Sequence, residues 1–409
     1  MKIQFLFLSL FILVAIGCKK DTSTKEYALK SGPWRATLTV QDDQELPFLF
    51  EVLEDQSIQI FNAEEVIELQ DIVIKKDSVF IKFPVFEGYI AARFLDSSKL
   101  TGLFIKEELG RKVPFNAQFG LQDRFEINES PSQNITGGWQ TVFSPDHKDE
   151  RYIAKGIFKQ NDNIVTGTFR TTTGDYRYLE GVLNKDELQL STFDGAHAFL
   201  FKGTIKDSMI TGNFYSGSHW KEPFIAKKND EYELPDEDSL TYLKKGYEKL
   251  KFRFPNTKGD TLSFDSERFK NKVSIIQIMG TWCPNCLDES KYLANFFKEN
   301  KNSDLEIVAL AFEYAKTKEK AITAVEKFKN AVGIPYPVLI AQYGSSDKGK
   351  AQEKLPMLNH VLSYPTTIIV DKKGNVRKIH TGFNGPATGT KYEAFKIEFE
   401  TLVKELLAE

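Results

Sequence analysis

Residues 279–290 read MGTWCPNCLDES. Two cysteines, Cys283 and Cys286, stand three positions apart, with Trp282 before the first and Pro284 directly after it. The 409-residue chain has only three cysteines, so two of its thiols are gathered here. Upstream, Lys272–Met279 (KVSIIQIM) is a near-continuous apolar run, the pattern of a strand buried on both faces. Downstream, Pro284 suits the first turn of a helix, where its missing N–H would lack a partner anyway. Leu293, Phe296 and Phe297 then fall on one helical face of a segment reaching about Asn300. Strand, CxxC, helix is the context in which such a pair reads as a redox dithiol.

The competing readings are weaker. A zinc site needs two more ligands at matching spacing, and His360 and His380 are single residues far along the chain. No metal is therefore expected. A structural cross-link over two intervening residues at a helix start would constrain little. As a redox pair, the chemistry follows from position. The unpaired N–H groups and dipole of a helix N-terminus stabilise a thiolate, which is the attacking species. Cys283, at the open end, is expected to attack a partner disulfide. Cys286, one turn further in, is expected to resolve the mixed disulfide, leaving an internal Cys283–Cys286 disulfide and requiring no other cofactor.

Met279-Gly-Thr-Trp-Cys-Pro-Asn-Cys286 resembles the Trp-Cys-x-x-Cys of the thioredoxin superfamily. Ser363-Tyr-Pro-Thr-Thr-Ile-Ile-Val-Asp371, followed by Lys372-Lys-Gly-Asn-Val376, resembles that superfamily's cis-proline strand and closing hairpin. The TlpA/ResA-like membrane-anchored thiol–disulfide oxidoreductases are the best match, over about residues 252–409. The resemblance implies that Pro365 is cis and lies against the dithiol, and that the direction is reduction of protein disulfides, re-armed by a thiol electron donor. One departure stands out. Thioredoxins carry a buried Asp six residues before the first cysteine, and here that position is Gln277. Glu313, ending the apolar run Ile307–Phe312, is then the expected carboxylate to accept the Cys286 proton. An insertion from about Tyr343 to Leu362 is expected to shape partner choice.

The third cysteine lies in the N-terminal MKIQFLFLSLFILVAIGC. An apolar run of this length, with one early Lys and small residues before Cys18, has the layout of a secretory signal. Val14-Ala-Ile-Gly-Cys18 resembles the lipobox of bacterial lipoproteins, which implies acylation of Cys18 and a membrane anchor on the periplasmic side. Lys19 slightly favours the outer membrane. A net charge of −3 gives no basic face for nucleic acid.

Between these ends, residues 32–228 show short alternating runs such as Ser78–Phe83 and Ile164–Phe169, with turn signals about every ten residues. The block is doubled. Gly32-Pro-Trp34 is echoed by Gly137-Gly-Trp139, and Leu100-Thr-Gly102 by Ile210-Thr-Gly212. Two β units are expected, as barrels or sandwiches, and their Gly-Trp openings resemble lipocalin-like barrels. The expected organisation is multidomain: leader 1–17, polar tether 18–31, antiparallel β-rich repeats 32–128 and 129–228, an acidic linker with a short helix at 229–251, and an α/β thioredoxin-like domain at 252–409. The alternative is a cell-envelope binding protein in which the β-rich region captures a ligand and the dithiol domain is accessory.

Overall fold

The computed structural model describes residues 27–301 and 303–409; the expected leader, Cys18 and most of the expected tether lie outside the described residues. The first repeat is one nine-stranded antiparallel sheet running from Gly32–Thr39 to Arg111–Phe119, and these two strands pair with each other. The second repeat follows the same course, from Gly137–Phe143 to Trp220–Lys228, again with first and last strands paired. The echoes seen in the sequence are equivalent in space. Both tryptophans are buried, and their indole N–H groups donate to carbonyls four residues upstream: Trp34 to Lys30 at 2.9 Å, Trp139 to Ile135 at 2.8 Å. Gly102 and Gly212 face Ala92 and Gly203 across the ladder. A Cβ on either would stand 2.1 Å from a backbone oxygen, that of Ala91 or Lys202.

The repeats differ in closure. In the second, Tyr152–Asn161 pairs with Ile164–Thr171, which also pairs with Leu179–Asn184, and the ring closes as a barrel. In the first, Glu65–Leu69 and Asp71–Lys75 are separated by Gln70 alone and form the two ends of the sheet. These strands run on rather than fold back, so the chain itself joins the two ends of the sheet and no ladder pairs them. The closed barrel is filled by aromatic rings. Phe143, Phe169, Phe201 and Phe224 are fully buried, and Phe201 stacks on Phe214 with ring centres 4.6 Å apart. A small barrel filled this way has a core rather than a ligand chamber. Buried Arg124 joins the repeats, donating to the Phe61 carbonyl at 2.6 Å and pairing with Glu180 at 3.2 Å.

The C-terminal unit is a five-stranded sheet in the order Val338–Gln342, Leu305–Phe312, Val273–Met279, Thr366–Val370, Val376–Thr381. The central Val273–Met279 is buried at every residue, parallel to Leu305–Phe312 and antiparallel to Thr366–Val370. Four helices accompany it: α1 Pro284–Glu299, α2 Lys318–Val332, α3 Lys348–Lys354 and α4 Thr390–Ala408. The short α3 lies inside the insertion expected at Tyr343–Leu362. α2 starts where the Thr317 side chain accepts the Lys320 N–H and stops at left-handed Gly333.

One expectation is corrected. The short helix expected within 229–251 does not form; only Glu237–Ser239 makes a single 3-10 turn. Gly246 has φ +95, and Leu243 bridges to Leu358, so tertiary pairing overrides local propensity. The acidic stretch is also more than a linker. Buried Glu237 pairs with Arg170 and Lys391, and Asp238 with Lys378 and His380. Among the described residues, no helix is long and apolar enough to cross a membrane.

The matched glycines supply a test of the duplication. Gly102→Ala and Gly212→Ala should each destabilise the protein by about 1–3 kcal/mol, the usual range for overpacking. Thermal melts that leave either variant at the wild-type midpoint would refute the close strand approach at that site.

Candidate active site

Cys283 is the residue that caps α1. Its extended backbone (φ −98, ψ 115) turns the sulfur back over the helix start, where it accepts the Cys286 N–H at 3.3 Å. The thiol also lies 3.3 Å from the Tyr364 carbonyl, and the Tyr364–Pro365 bond is cis. Pro284 occupies the first helical position. Trp282 is anchored by its indole N–H, which donates to the Phe312 carbonyl at 3.0 Å, and its ring meets that of Tyr364 edge-on at 5.4 Å. The structure therefore brings Cys283, Cys286, Trp282, Pro284 and Pro365 together. The two sulfurs are unequal: Cys283 is 7% exposed and Cys286 is 0% exposed. Burial pushes the Cys286 thiol well up from its ordinary pKa, and the neighbouring Cys283 sulfur and Glu289 carboxylate act in the same direction.

The two buried carboxylates near this site do different things. Glu313 is buried, and each of its oxygens accepts from Thr281: one from the backbone N–H at 2.9 Å and the other from the hydroxyl at 2.7 Å. It braces the loop that carries Trp282 and Cys283. Glu289, which the sequence reading passed over, sits one turn beyond Cys286 on α1, the spacing that places two side chains on one helical face. Gln277 Nε2 donates to it at 2.8 Å and Thr367 Oγ1 at 2.8 Å, while Ser290 Oγ donates to Gln277 Oε1 at 3.0 Å and orients the amide. The neutral residue at the strand position is thus the hydrogen-bond donor to an acid that has moved to the helix. Burial pushes both Glu289 and Glu313 up to about 7. A carboxylate poised near neutrality is suited to receive a thiol proton, and Glu289 is the one whose field reaches Cys286.

The β-rich repeats complete the site. Asn285 Nδ2 donates to the Asp175 carbonyl at 3.0 Å, and Ser363 Oγ to the Thr173 carbonyl at 2.7 Å, so the 171–177 loop of the second repeat lies along the dithiol and the cis-proline turn. Arg177 fastens that loop. It donates to the Pro284 carbonyl at 3.0 Å and forms ion pairs with Asp288 of α1, Asp194 of the second repeat and Glu65 of the first. What remains open above Cys283 is a cavity of about 640 Å³, walled by both repeats and by Trp282 and Tyr364. No local sequence signal pointed to this wall. Among the described residues, no three His, Cys, Asp or Glu side chains are grouped as a metal site would require.

The buried carboxylates give a pH signature. A carboxyl raised above its unfolded value of about 4.3 favours the neutral form in the fold, so its contribution to stability is full below that value. The contribution is lost as pH rises through about 7. Glu289→Gln should therefore flatten the fall in stability between about pH 4.5 and 7, read by denaturant unfolding across that range. It should also slow resolution of a mixed disulfide by about 100-fold, the low end of general-base contributions. Glu313→Gln should slow it less. Stopped-flow resolution rates in the opposite order would return the proton to Glu313.

Residues 244–395 match the Redoxin family. The thioredoxin-like protein YneN of Bacillus subtilis is 28% identical over 140 residues, which is 34% of this chain and 73% of its own length. The thiol-disulfide oxidoreductase ResA of the same organism is 25% identical over 162 residues, covering 40% of this chain and 77% of ResA. A structure of a putative thiol:disulfide interchange protein DsbE from Chlorobium tepidum is similar over 40% of this chain and 99% of its own, at 17% identity and a TM-score of 0.30. With Cys283 capping a helix beside a cis proline, the C-terminal part of this chain carries a Redoxin domain of thioredoxin-like fold and is similar to the ResA thiol–disulfide oxidoreductases.

Proposed function

We propose that the protein is a lipid-anchored, extracytoplasmic oxidoreductase that reduces disulfides of partner proteins, with Cys283 attacking and Cys286 resolving. The observation that carries this reading is the inequality of the two sulfurs. Only Cys283 reaches the cavity, at the end of α1 where backbone N–H groups favour an anion, whereas Cys286 is sealed beneath it beside Glu289. Attack by the first sulfur therefore meets the partner, and the second, held protonated by burial, is released to act once the mixed disulfide has formed. An unidentified thiol donor returns the pair to the reduced state. The anchor reading rests on Cys18 and the apolar stretch before it. Two or more acyl chains hold a protein to a membrane far more firmly than one. They would place the enzyme at the cell envelope facing the periplasm, with the outer membrane slightly favoured.

Trapping tests the chemistry. Cys286→Ser should accumulate mixed disulfides through Cys283, visible as reductant-sensitive adducts by mass spectrometry, and Cys283→Ser should accumulate none. Equal trapping by both variants would remove the division of roles. The anchor is tested separately by fractionation: wild-type protein should partition with membranes and Cys18→Ser should not. Freely soluble wild-type protein would end the lipoprotein reading.

A further inference from the structure

The wall of the cavity opposite the dithiol carries an arrangement that the redox step does not use. Lys106 and Arg111 are register partners across a hairpin of the first repeat, and both line the cavity that opens on Cys283. Like charges placed directly opposite on neighbouring strands are destabilising. Neither side chain has an ion-pair partner among the described residues; the Lys106 ammonium donates instead to the Ala196 carbonyl at 3.1 Å. The nearby carboxylates are committed elsewhere: Glu87 accepts from the Tyr314 hydroxyl, and Asp194 is paired with Arg177 and His197. Asp175 also lines the cavity, but its oxygens accept the backbone N–H groups of Arg177 and Gly385. Burial, then the Arg111 charge, draws Lys106 down to about 8, which leaves it cationic at neutral pH. Burial and the same two cations push His219, also on the wall, down to about 4, so the imidazole is neutral there. Two cations without an ion-pair contact of their own, offset only by the more distant charges of Glu87 and Asp194, raise the local concentration of anions in a confined space.

Resting on the dithiol reading above, we propose that this cavity selects disulfides carried on a slim, carboxylate-bearing group, seated on Lys106 and Arg111. The size of the cavity matches small ligands, and a folded domain does not enter it. In the reaction the Cys283 thiolate attacks one sulfur of the substrate; the substrate S–S bond breaks, and the first thiol leaves with a proton. Cys286, giving up its own proton, then attacks Cys283. The second substrate thiol leaves, and the two electrons lost by the dithiol reside in the two product thiols. The anionic group is either a free small disulfide or an acidic segment of a protein, and both present the same carboxylates to the cations.

The test is single-turnover oxidation of the pre-reduced full-length protein, read by thiol titration. The probes are oxidised glutathione (net negative), cystamine (net positive) and bis(2-hydroxyethyl) disulfide (neutral). Two disulfide-bridged peptides, flanked by glutamates or by lysines, complete the set. The expected result is a rate at least about tenfold higher for the anionic member of a pair, falling in high salt. Lys106→Met and Arg111→Met should each bring that ratio toward one; Arg111 is half-buried, so its variant remains informative if the Lys106 variant fails to fold. Preference for oxidised glutathione over cystamine would identify a free small disulfide as sufficient. Preference confined to the peptides would identify a protein segment. Equal or reversed rates in both pairs, or a ratio that neither variant moves, would overturn the proposal. Failure of every probe, the neutral one included, would instead defeat the dithiol reading itself and this proposal with it.

Discussion

The arrangement of the molecule turns on one buried guanidinium. Arg177 is only 3% exposed, yet it reaches Glu65 in the first repeat, Asp194 in the second, and Asp288 and the Pro284 carbonyl on the helix that carries the dithiol. Burial alone would oppose its charge; the surrounding carboxylates outweigh that effect and hold it ionised. Its backbone is left-handed, with φ 58, a conformation that costs a non-glycine residue about 1–2 kcal/mol and persists where surrounding contacts fix it. Removing one partner of such a buried cluster leaves uncompensated charge, which is far more damaging than losing a surface pair. The three structural units are therefore locked together at the place where the chemistry occurs.

That lock changes what the thioredoxin-like fold can do. A dithiol capping a helix needs only the first turn of that helix to make its sulfurs unequal. The covering repeats add a second constraint, since the attacking sulfur is reached through a cavity instead of an open surface. The second barrel, filled by Phe143, Phe169, Phe201 and Phe224, acts as a rigid block whose 171–177 loop is held against Asn285 and Ser363. Access and reactivity are set by different parts of the chain, one by the repeats and the other by α1.

Proton handling follows a similar division. Both carboxylates have each oxygen hydrogen-bonded, Glu313 by Thr281 and Glu289 by Gln277 and Thr367, and Glu289 is the one that acts on Cys286. A glutamine six residues before the first cysteine looked like the loss of an acid. In the folded protein Gln277 faces Thr367 across the sheet, and both donate to the helix carboxylate. The acid is retained at a different position, with neutral donors supplied by the strands.

Local sequence determines the structure where a few adjacent residues set the conformation. The apolar run before Cys283, Pro284 after it and the helical spacing of Leu293 and Phe296 define strand, cap and helix without help from elsewhere. The paired Gly-Trp and Thr-Gly echoes likewise exposed the doubled β unit, because tight strand approach at Gly102 and Gly212 admits no side chain. Glu289 was legible in principle from its i,i+3 spacing to Cys286, but nothing local marks a helix glutamate as buried. The run-on strand that joins the ends of the first repeat, the clasp made by Glu237 and Asp238, and the roof over the dithiol were decided by the tertiary structure alone. Arg177 and Asp288 lie 111 residues apart, and Lys106 and the dithiol belong to different sheets. Such contacts leave no periodic trace in sequence: they arise only once separate hydrophobic cores have fixed the backbones between which charge must be matched.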